Sequence, residues 1–74
     1  MEQDFVFRPY GKSELALLYI KANVSQRVAL NWLNQEIALY PGLLDRLHEL
    51  GYKPKQRIIT LAQLRAIVDA IGAP

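Results

Sequence analysis

Apolar residues recur at three- and four-residue intervals in four separate blocks of this chain, and each block is bounded by residues that start or stop a helix. That rhythm constrains the fold strongly, because 74 residues without a cysteine have no disulfide to staple them. The core must come from the helix faces themselves. Hydrophobic residues make up 51% of the chain, enough for one core and too many for a disordered segment. The length fits one domain over residues 1–74.

Leu15, Leu18 and Tyr19, widened by Leu17 and Ile20, predict a first helix. Ser13 is its expected N-cap, Glu14 suits the positive end of its dipole, and it should end near Lys21 or Ala22. Asn23 is the residue suited to a left-handed terminus. Ser25 predicts the cap of a second helix that reaches about Tyr40, where Pro41 limits it. Pro41 is expected to open a third helix at its first turn, with Leu43, Leu44, Leu47 and Leu50 along it. Gly51 followed by Tyr52 predicts a Schellman stop. Thr60 and Gln63 have capping-box spacing before a fourth helix faced by Leu61, Leu64, Ile67, Val68 and Ile71 and ended by Gly72. Residues 5–7 and 57–60 read as two short strands, the first closed by Pro9, which has no amide proton to donate. The expected fold is mostly α, a four-helix helix-turn-helix-like domain with a short two-stranded β-ribbon.

The second helix carries the most specific chemistry. On a wheel of about 100° per residue, Val28, Ala29, Leu30, Trp32, Leu33, Ile37 and Leu39 share one broad arc. Arg27, Asn31, Asn34, Gln35 and Ala38 share the opposite arc, which holds no carboxylate. Arg, Asn and Gln can hydrogen-bond bidentately to base edges in a major groove. The helix also follows a shorter helix and a turn, the order of a helix-turn-helix. Arg27, Asn31, Asn34 and Gln35 are therefore base-reading candidates for double-stranded DNA. The same stripe also reads as a solvated face that lacks acids. Trp32 is expected in the core, the four tyrosines at its boundary, and Glu36, which falls inside the apolar arc, beside a cation.

Charge is segregated although the net value is only +2. Residues 53–65 carry Lys53, Lys55, Arg57 and Arg65 with no acid, whereas residues 36–52 carry Glu36, Asp45 and Glu49 against Arg46. Lys53, Lys55 and Arg57 alternate with Pro54 and Gln56, so an extended segment would set them in one row facing phosphates. Lys12, beside the expected cap, joins them as a phosphate candidate. A plain solvated loop is the other reading of this link. The rival function is a small protein–protein interaction module that binds no nucleic acid and meets a larger protein partner or a second copy. Its carrier would be the leucine-rich third helix with its acidic flank, or an exposed apolar face of the fourth.

Catalysis has little to draw on. His48 is the only histidine, no Ser-His-acid set is visible, and no phosphate-binding glycine motif occurs. No enzyme activity, metal, cofactor or small-molecule substrate is expected. No apolar run is long enough to span a bilayer, and the start MEQDFVFRPYGK lacks an apolar signal core, so the expected location is the cytoplasm.

Two resemblances follow from particular residues. Tyr10-Gly11-Lys12-Ser13-Glu14-Leu15-Ala16, Leu50-Gly51-Tyr52-Lys53-Pro54, Gln56-Arg57 and Thr60 resemble a small bacterial family from Bacteroidales, a domain of unknown function (DUF family number 4248). That resemblance covers almost all the chain and implies no activity. Leu15-Ala16, Val24-Ser25 and Trp32 are similar to the opening of MerR-like and excisionase-like helix-turn-helix domains, with a longer spacing and with Asn23 nearest to their turn glycine. This second resemblance implies DNA binding through the second helix, in concert with a second copy or a larger partner.

Overall fold

A computed structural model describes residues 5–21 and 23–74. Among them run β1 (Tyr10–Gly11), α1 (Lys12–Ile20), α2 (Gln26–Leu39), α3 (Leu43–Glu49), β2 (Ile58–Ile59) and α4 (Leu61–Ile71). The class is mostly α, and the two strands pair antiparallel with Tyr10 opposite Ile59 and Gly11 opposite Ile58.

Local capping chemistry places three of the helices. The Ser25 hydroxyl accepts the Val28 N–H at 3.2 Å and starts α2. At α4 the capping box is complete: the Gln63 N–H donates to the Thr60 hydroxyl at 3.3 Å, and the Thr60 N–H donates to Gln63 Oε1 at 3.2 Å. Thr60→Ala should therefore lower the unfolding free energy by about 1 kcal/mol, read from a urea melt; an unchanged midpoint would contradict this role. At the end of α3, the Tyr52 N–H reaches the Leu47 carbonyl at 2.9 Å and the Gly51 N–H reaches that of His48 at 3.0 Å. Gly51, at φ 86°, supplies the left-handed turn of the expected Schellman motif.

Four local expectations are corrected. β1 follows Pro9 rather than preceding it, and residues 5–7 form no strand. Their rings cover Tyr10 instead: Phe5 stacks on Tyr10 at 5.4 Å and meets Phe7 edge-on at 5.3 Å, while the Tyr10 hydroxyl donates to the Val6 carbonyl at 2.8 Å. The cap of α1 is Gly11, not Ser13, because the ribbon feeds straight into the helix; the Glu14 carboxylate accepts the Gly11 N–H at 3.3 Å. Lys21, not Asn23, takes the left-handed angle after α1, at φ 55°. Pro41 lies in a turn outside α3, whose N-cap is Gly42 at φ 81°; that angle cannot continue a helix begun at Pro41.

The core joins Tyr10, Leu15, Leu33, Leu47, Ile59, Leu64 and Ile67, with smaller residues between them. α2 contributes Ala29, Leu33 and Ile37, which recur every four residues on one face. Val28 and Leu39, expected on that face, stand 51% and 70% exposed, so the buried stripe is narrower than the apolar arc. Trp32 is half-buried, with its ring 5.7 Å from that of Tyr19. α4 buries Gln63, Leu64, Ala66 and Ile67 and leaves no large hydrophobic exposed among the described residues. The fourth helix therefore offers no free apolar face. No helix among the described residues is long and apolar enough to cross a membrane.

The Tyr19 hydroxyl ties α1 to the end of α4 by donating to the Gly72 carbonyl at 2.6 Å. Burial pushes its pKa from the ordinary 10.0 up to about 12. The folded phenol thus stays neutral where the unfolded one ionises. Its contribution to stability is complete below pH 10 and is lost as pH rises to about 12. Tyr19→Phe should flatten the alkaline fall of the thermal midpoint across that window. An identical slope in both proteins would contradict the assignment.

Candidate nucleic-acid interface

With Ala29, Leu33 and Ile37 turned inward, helical geometry turns Arg27, Asn31, Asn34 and Gln35 outward, and all four are exposed. Gln26 and Ala38 are exposed with them. The ion pairs among the described residues are Arg8 with Glu14 at 3.0 Å and Arg46 with Asp69 at 3.4 Å. The Arg27 guanidinium is thus unpaired within that set, and Glu36, half-buried, has not found the cation expected for it. The reason lies in its helix: Trp32, Leu33, Leu39 and Tyr40, the residues three and four positions away, carry no charge.

The basic link is a turn, not the straight row expected from alternation. The Gln56 N–H donates to the Lys53 carbonyl at 3.1 Å, with Pro54 at the second position, where its fixed φ favours a turn. Gln56 then locks the turn with its side chain. Its Oε1 accepts the Lys53 N–H at 2.8 Å, and its Nε2 donates to the Ile58 carbonyl at 2.7 Å and to Gln63 Oε1 at 2.6 Å. Gln63 is only 2% exposed, and its Nε2 donates to the Leu50 carbonyl at 3.0 Å. This amide relay joins the end of α3, the link and the start of α4. Among the described residues it leaves no buried side-chain donor or acceptor without a partner. By its spacing alone Gln63 is a cap and Gln56 a spacer. The relay itself is formed by contacts that no local pattern displays.

Lys12 is the other correction. Its side chain is 4% exposed, and its ammonium donates to the Pro54 carbonyl at 2.8 Å and lies 5.1 Å from the centre of the Tyr52 ring. Burial lowers its pKa below the usual lysine value. The Lys12 backbone N–H also donates to the Arg57 carbonyl at 2.7 Å, which extends the ribbon by one bond. Lys12 is a strut that holds the link from below rather than a free surface cation. Lys53, Lys55 and Arg57 are all exposed.

Three elements meet in a groove of about 490 Å³. α2 lines it with Gln26, Leu30 and Asn34, α1 with Lys12 and Ser13, and the link with residues 54–57. Asn34 of the polar stripe and Lys55 and Arg57 of the basic link therefore share one concavity. From that groove the exposed face of α2 continues outward through Arg27 and Asn31 to Gln35, at about 100° per residue. Lys53 is outside the groove lining, and no carboxylate belongs to it.

Fold and groove together define a small, mostly α domain with a two-residue-per-strand ribbon and a cationic, amide-rich concavity. Residues 6–74 match the family model described as Domain of unknown function (DUF4248), and the chain belongs to that family. No curated protein and no solved structure matched the chain.

Proposed function

We propose that this chain is a double-stranded DNA-binding module of helix-turn-helix type, in which α1 and α2 are the paired helices and α2 enters the major groove. The observation that carries this reading is the meeting of Asn34 with Lys55 and Arg57 in one groove. Arg27, Asn31 and Gln35 then face base edges, Lys55 and Arg57 hold the flanking backbone, and Asn34 stands where the two meet. Lys53 is exposed on the same turn but does not line the groove, and Lys12 fixes the turn in place. Few cations face the DNA, so affinity is modest, and it falls with salt by about one power for each phosphate contact. A second copy or a larger protein partner on neighbouring DNA supplies the rest of the binding energy.

Fluorescence anisotropy on a panel of duplexes tests these roles. Arg57→Ala should weaken binding to every sequence alike, whereas Asn31→Ala should mainly flatten the differences between sequences. Equal effects of both changes on every duplex would contradict the division of labour.

A second reading rests on a different surface. Leu39, Tyr40 and Leu44 are exposed around the turn between α2 and α3, at 70%, 37% and 37%. That corner supports a small protein–protein interaction module. Under this reading Leu39→Ser changes the sedimentation of the protein and Arg57→Ala does not.

A further inference from the structure

We infer that the groove between α2 and the basic link is a phosphate seat, formed by Lys55, Arg57 and Ser13 with the Gln26 and Asn34 amides beside them. The inference rests on the DNA-binding reading for its ligand, a backbone phosphodiester, but stands on observations of its own.

The first is charge. Lys55 and Arg57 line the groove, no carboxylate does, and neither cation is ion-paired among the described residues. Arg8 and Arg46 differ in this respect, since both are already engaged by acids. The second is free hydrogen-bonding capacity. Ser13, Gln26 and Asn34 line the groove, and their side chains make no hydrogen bond to another described residue. A phosphate oxygen accepts from each of these donors. The third is preorganisation. The turn that carries Lys55 is held by Gln56 on one side and by the Lys12 ammonium on Pro54 on the other. Little ordering is left to do when an anion arrives. Concavity adds to this, because a partly desolvated ion contact is stronger than one on a flat surface. Lys53 belongs to the same turn but not to the groove, and so serves as an internal control.

The test is a ¹⁵N–¹H NMR titration at constant ionic strength with inorganic phosphate, a deoxynucleoside monophosphate and a mixed-sequence duplex as separate probes. Inorganic phosphate should give saturable shifts at Ser13, Gln26, Asn34 and residues 55–57. Arg57→Ala should weaken its binding about tenfold, the size of a charge-assisted hydrogen bond, and Lys53→Ala should leave it unchanged. Unsaturable shifts, or shifts spread equally over Lys21, Lys53 and Arg65, would overturn the seat. Saturation by phosphate with no response to duplex keeps the seat and removes the DNA-binding reading. Duplex shifts on Arg27, Asn31 and Gln35 with a silent groove remove the seat and keep that reading. Tighter binding of the mononucleotide than of the duplex would overturn the backbone diester as its ligand.

Discussion

Gln63→Leu should lower the unfolding free energy by about 3 kcal/mol, the summed cost of several unmade buried hydrogen bonds, and should loosen the basic link at the same time. Leucine fills nearly the same volume, so the loss is one of hydrogen bonds rather than of packing. Three partners are abandoned: the Leu50 carbonyl, the Thr60 N–H and Gln56 Nε2. The side chain is 2% exposed, so water replaces them poorly. Urea denaturation reads the stability, and amide exchange at Lys53 and Gln56 reads the link. Exchange at these two positions should quicken more than exchange within α2. A loss below about 0.5 kcal/mol, the level of an ordinary surface change, would mean that the relay does not hold the link.

The second large effect concerns Lys55 and Arg57 together. Replacing both with alanine should cost about a hundredfold in duplex affinity at low salt, on the order of tenfold for each lost phosphate contact. It should also flatten the dependence of log affinity on log salt by about two, one for each contact removed. Geometry singles out these two cations, since they line the groove with Asn34. Lys53→Ala paired with Lys21→Ala removes the same charge from positions outside the groove. That control should cost less and change the slope less. Equal losses in the two double variants would show that net charge alone governs binding.

The elements set by neighbouring residues are legible in the amino-acid sequence. Ser25 starts α2, Thr60 with Gln63 starts α4, and Gly51 with Tyr52 stops α3, each through contacts within six residues. What the sequence hides depends on distant partners. Lys12 reads as a surface cation until Pro54, 42 residues away, takes its ammonium. Gly11 becomes a cap only because Ile58 pairs with it and delivers the chain to the helix in extended form. A helical wheel gives the direction of the α2 core but not its width, which the neighbouring helices decide; hence Val28 and Leu39 are exposed. The same wheel puts Asn34 on a polar stripe. That this stripe borders Lys55 and Arg57 follows from how α1, α2 and the link pack, and from nothing nearer in the chain.

The direct test of DNA binding is chemical-shift mapping of the full chain against a short mixed-sequence duplex at low and at moderate salt. DNA binding through this face predicts perturbations concentrated on residues 25–38 and 55–57 that weaken as salt rises. No response at low salt, or a salt-insensitive response centred on Leu39, Tyr40 and Leu44, would contradict it.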